Sequence, residues 1–232
     1  MDETAQQKDL QRELEIKFNV AYAIAKKEIP FTKYRPLLLL HKKNGVNISP
    51  RYDNDVKCAE FISSICDSMK SDLGDLMKSA KYASLIIDGD TDISVKECEM
   101  VYVRILENGK PVNRLVGQQE VEHAHAADGA SVNLGVRNGV IELLKAEAGN
   151  HVIPFHCMAH SAQCERGFSA QKRIKSDVRS SLHVSTTEDL IRISMEGPEL
   201  AAFDPTPVVE KWLNSGQRSR WPHVVYKTWP EE

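Results

Sequence analysis

Between Leu10 and Ile29 the apolar residues Leu10, Leu14, Phe18, Ala21, Tyr22 and Ala25 recur every three or four positions, which predicts an amphipathic helix stopped by Pro30. A second helix opens near Asp53 or Asp55, either able to cap it, and carries Ala59, Phe61, Ile62, Ile65, Met69 and Leu73 towards Lys78. Residues 31–50 between them read as a loop with a short Leu-rich segment. The period then changes. Ala83 to Ile87 is a short apolar run ending at Asp88-Gly89-Asp90-Thr91-Asp92, which predicts a buried strand delivering a carboxylate at its C-terminal end. Residues 99–106, with Val101, Val103 and Ile105 interleaved, predict a second strand. Asn108-Gly109 is a strong short-range hairpin signal, so 111–116 returns as a third, antiparallel strand.

Beyond Val121 the pattern weakens, with a further helix expected from Val136 to Ala148. Thr186 or Thr187 can start a helix carrying Leu190, Ile191, Ile193 and Met195, ended by Gly197-Pro198. Asp204-Pro205 starts another with Val208, Val209, Trp212 and Leu213, closed by Gly216. Pattern alone therefore predicts a mixed α and β fold. The expected organisation is an N-terminal helical region (1–80), a core with strands (81–163), a helical C-terminal region (164–216) and a flexible tail (217–232).

Composition narrows the class. The chain has 232 residues, 41% of them apolar, enough to bury a core. A net charge of −3 excludes a wholesale basic nucleic-acid binder but leaves room for local basic clusters. The longest apolar run, Leu37 to Leu40, is far short of the roughly 20 residues of a spanning helix, so no membrane is expected. The polar, acidic N-terminal stretch is unlike a secretion signal, and the five cysteines, irregularly spaced, are expected to be reduced intracellular thiols. Cys157, His160 and Cys164, beside His156, could form a zinc site but lack a second ligand pair at finger-like spacing. No small-molecule substrate is suggested.

The words Glu165 to Leu182 (ERGFSAQKRIKSDVRSSL), DGDTDIS from Asp88, DGASVNLG from Asp128 and HCMAH from His156 together resemble the hAT superfamily of transposases. The stretch from Lys17 to Val46 also looks like the segment that precedes the catalytic core in vertebrate hAT-derived proteins, and residues 152–157 resemble a further family strand. The resemblance implies an RNase H-like sheet, flanked by N-terminal helices and followed by a helical dimerisation region. It implies that Asp88, Asp128 and Glu165 are the three carboxylates that hold Mg²⁺ or Mn²⁺, with His160 near the scissile DNA. No other cofactor is expected.

Two departures from the family pattern bear on activity. The segment around His123-Ala124-His125 joins the second aspartate directly, where the family has a strand and a helix, and only Ser161 to Cys164 separate His160 from Glu165, where the family inserts a long helical domain. Metal ligands must be held to about half an ångström, so the triad is expected to be inactive and the chain to act through protein contacts; the resemblance implies a nuclear location, with a cytoplasmic one as the alternative. A BED-type finger is missing, leaving Arg166, Lys172, Arg173, Lys175 and Arg179 as non-specific phosphate contacts or, alternatively, as a solvated helix face. Phe168, Ile174, Leu190, Ile193, Trp212 and Leu213 are expected to anchor a homodimer or to face the intrachain core. The rival readings are a metal-dependent transposase or nuclease, and a remnant without a stable function.

Overall fold

The computed structural model describes residues 3–94, 96–120, 162–176 and 179–215. Asp128, His160 and Cys157, the helix expected over 136–148, the strand expected over 152–157 and the tail 217–232 lie outside the described residues. Six α-helices and a three-stranded antiparallel sheet are described, a mixed α and β architecture. The chain divides into two units, Met1–Asp72 with Arg192–Glu232 and Leu73–Ile191.

In the first unit, helix α1 (Glu3–Lys26) buries Leu14, Phe18, Ala21, Tyr22 and Ala25, the stripe that the period predicts. It ends before Pro30 in a double turn: the Glu28 N–H donates to the Ala25 carbonyl and the Ile29 N–H to the Ile24 carbonyl, with Glu28 left-handed at φ 56°. Helix α2 (Tyr34–Lys43) occupies what the sequence suggested was a loop. Pro36 falls in its first turn, where a missing N–H costs nothing, and Tyr34 and Leu38, four apart, are its buried residues. Helix α3 (Asp55–Ser79) buries Cys58, Phe61, Ile62, Ile65 and Cys66. Its cap is neither aspartate: the Asn54 side-chain oxygen accepts the Lys57 N–H at 2.9 Å.

An aromatic cluster joins these helices to the C-terminal ones. Phe18 stacks on Phe61 at 4.3 Å, and Trp212 meets both rings edge-on. The Trp212 indole N–H donates to Glu60 at 3.0 Å, so burial leaves no polar atom of the ring unpaired. Tyr22 stacks on Phe203, and Lys26 donates to the carbonyls of Ser194 and Gly197, neutralising the C-terminal end of helix α5 (Val184–Glu196). That helix starts earlier than Thr186 or Thr187, because the Thr187 hydroxyl bonds back to the His183 carbonyl at 3.0 Å and so does not cap. Helix α6 (Thr206–Asn214) starts after Asp204-Pro205 as the sequence indicates, with Asp204 accepting the Thr206 N–H at 3.0 Å.

In the second unit, β1 (Ala83–Thr91), β2 (Glu97–Glu107) and β3 (Lys110–Glu120) pair in the order β1-β2-β3. Asn108 (φ 52°) and Gly109 (φ 76°) form the two-residue turn whose left-handed backbone matches strand twist. A bulge at Val101/Tyr102 leaves Val116 as the extra residue of β3. The prediction for β1 needs correction on two points. It is not buried: Leu85 is exposed and Ile86 and Ile87 are half-buried, because among the described residues β1 is an edge strand paired only with β2. Nor does it end at Asp88, since the ladder continues to Thr91 opposite Glu97.

Candidate carboxylate cleft

Strand alternation points residues i, i+2 and i+4 to one face. Asp88 and Asp90 therefore share a face with their cross-strand partners Met100 and Cys98. Helix α4 (Ala162–Ile174) packs on that face of β1 and β2, and it does so closely because position 167 is glycine. A Cβ there would stand 2.5 Å from the Tyr102 hydroxyl oxygen and 2.6 Å from the Met100 sulfur. Ala170, Gln171 and Ile174 continue the buried side of α4.

Glu165, Phe168, Ser169 and Lys172, at helical spacing on one side of α4, meet Asp88, Gly89 and Asp90 across a cleft of about 370 Å³. Two of the residues that the sequence singled out, Asp88 and Glu165, are thus brought to one place from opposite ends of the unit. The cleft already holds a positive charge: the Lys172 ammonium pairs with Asp90 at 2.8 Å. Asp88 and Asp90 each accept the N–H of the residue that follows, at 3.0 and 2.8 Å. Oxygen donors of this type suit a hard divalent cation, yet among the described residues no three His, Cys, Asp or Glu side chains gather as a metal-ligand group. An incoming cation would compete with Lys172 for the same carboxylate.

Just past the end of α4 the pattern repeats inside the protein. Lys175 is buried and pairs with Asp92, whose side chain is 1% exposed. Burial pushes the Asp92 carboxyl up, but the bond from Lys175 and the N–H groups of Lys96 (3.0 Å) and Ser94 (2.7 Å) prevail and hold it below the ordinary carboxylate range. Beside them lies the Cys98 thiol, pushed up by burial. Lys175 is therefore a structural cation and not a phosphate contact. Of the remaining proposed contacts, Arg166, Lys172 and Arg173 are exposed on α4, Arg166 bonding to Gln163, while Arg179 is half-buried.

The expected dimer anchors are all inside the protomer: Phe168 is 7% exposed, Trp212 3%, and Ile174, Leu190, Ile193 and Leu213 fully buried. Their apolar surface is consumed by the chain's own helices and sheet. Sequence reasoning missed Asp90, Asp92 and Gly167; the first two were legible as the period-two continuation of Asp88, whereas Gly167 is explained only by what lies opposite it. No family model matches the chain, and no solved structure matches it.

Proposed function

We propose that this is a transposase-derived interaction protein whose carboxylate cleft no longer cuts DNA. The observation that carries this reading is the Lys172–Asp90 pair, which puts the chain's own ammonium group among the carboxylates that a divalent ion would need. Motif resemblance to the hAT superfamily supports the origin, an RNase H-like ancestry of the sheet, self-association into a homodimer and a nuclear location. Arg166 and Arg173, exposed on α4, support sequence-independent phosphate contact, while Lys172 is engaged by Asp90. The test is incubation of the full chain with nicked or hairpin DNA and Mg²⁺ or Mn²⁺, where no cleavage above the protein-free control is expected.

A second reading, a metal-dependent nuclease, is favoured by one observation: Asp88 and Glu165, matched to the family's first and last carboxylates, line a single cleft. In that case the metal would be held by the family-matched Asp88, Asp128 and Glu165, of which Asp128 lies outside the described residues, and would supply Lewis-acid activation of water. Cleavage that disappears in Asp88→Ala would establish this second reading over the first.

A further inference from the structure

Helix α2 carries a second stripe, opposite the one it buries. Tyr34 and Leu38 are its buried residues, and at about 3.6 residues per turn Pro36, Leu39, Leu40 and Lys43, spaced i, i+3, i+4 and i+7, run along the far side. All four are exposed, Leu39 by 55% and Leu40 by 52%. Cations flank the stripe. Lys33 at the cap, Arg35 and Lys42 stand beside it and Lys43 ends it, so residues 33–43 hold four cations and no carboxylate. Arg35 only approaches Asp53, at 3.6 Å, and among the described residues Lys33, Lys42 and Lys43 enter no ion pair. Residues 39–45 are exposed without a break, and every residue of this surface belongs to the first unit.

The apolar ridge and its charged rim together specify an occupant. A ridge at helical spacing packs into the groove of another helix, and a rim of one sign selects a partner whose flanks carry the other. A phosphate backbone would leave Leu39 and Leu40 facing water. A bilayer takes its binding strength from buried apolar area, of which three side chains supply little. We propose that the outer face of α2 docks an acidic amphipathic helix of a partner protein. Apolar side chains of that helix cover Pro36, Leu39 and Leu40, and its Asp or Glu residues lie opposite Arg35, Lys42 and Lys43. A helix of ten residues is about 15 Å long, so the contact stays below the roughly 1,200 Å² at which stable interfaces begin, and the complex is a transient one. This inference rests on the reading of the chain as an interaction protein and names the class of partner for it.

Fluorescence anisotropy on the full chain tests it. The probe is a labelled peptide about three heptads long, with leucine at the two seam positions of each heptad, glutamate beside them and alanine elsewhere. The natural chain is expected to bind it, and Leu39→Glu/Leu40→Glu to weaken binding about tenfold or more, with unchanged circular dichroism because both side chains are exposed. Lys42→Glu/Lys43→Glu should weaken it about fivefold at low salt, and a peptide with lysine in place of glutamate should bind that variant better than it binds the natural chain. No binding up to about millimolar peptide, or binding that ignores both α2 variants, overturns the proposal. Equal affinity for a peptide of scrambled order, for duplex DNA or for phosphatidylserine vesicles also overturns it, since the surface would then be a general patch for anions or lipid. The interaction reading fails by a different result, cleavage of DNA in Mg²⁺ or Mn²⁺. A failed titration beside uncut DNA strikes this surface and leaves that reading standing.

Discussion

Replacing Lys175 by methionine keeps most of the side chain's length and removes only its charge. Asp92 would then be left 1% exposed with its carboxylate held by the N–H groups of Ser94 and Lys96 and the Ser94 hydroxyl at 3.3 Å. Removing one partner of a buried pair costs about 3–5 kcal/mol because the survivor is stranded in a low-dielectric site. The retained donors put the expected loss near the lower end, about 3 kcal/mol. Urea denaturation followed by circular dichroism measures it, with Asp92→Asn and the double variant completing a cycle in which the double change costs less than the sum of the single ones.

The pH dependence gives the sign. Asp92 is held below its unfolded value of about 3.9, so its contribution is fully present above that value and is lost as the pH falls through the folded value. Natural protein should therefore lose stability on acidification below about pH 4 more steeply than Lys175→Met. A loss under about 1 kcal/mol, or an identical acid limb in both, would refute the buried pair.

Gly167→Ala places a methyl group against the Tyr102 hydroxyl and the Met100 sulfur, and thermal melting should show a loss of about 1–3 kcal/mol. Asn54→Ala removes the cap of α3 and should cost about 1 kcal/mol in the same assay, while Asp55→Asn, which leaves that bond intact, should cost less. The Cys58 thiol, pushed up to about 12 by burial and by Asp55, should resist a thiol reagent at pH 8 in native protein and react promptly once unfolded. Trp212→Phe forfeits the bond to Glu60 and should destabilise by about 1 kcal/mol without changing the oligomeric state, because the ring lies inside the protomer.

Long-period features were legible in the sequence. The α1 stripe, the α3 stripe and the Asn108-Gly109 hairpin follow from helical spacing and turn chemistry alone. Helix α2 was not legible because Pro36 and four consecutive leucines hide its single buried pair, Tyr34 and Leu38. β1 misled in a different way. An apolar run such as Ala83 to Ile87 implies burial only if other strands flank it, and neighbours far along the chain decide that. The same limit governs the site: Asp88 and Glu165 could be named, but the charge of Lys172 beside Asp90 depends on how α4 lies along β1, information carried by Gly167 and its neighbours in space.

The most direct measurement is Mn²⁺ binding by paramagnetic resonance to the natural protein and to Lys172→Met. At about 4 Å one unit charge is worth about 1 kcal/mol in water, so removing the ammonium should tighten binding about fivefold or more, from a natural protein that binds Mn²⁺ no better than millimolar. Stoichiometric micromolar binding by the natural protein, unaffected by Lys172→Met, would contradict a cleft that carries its own cation.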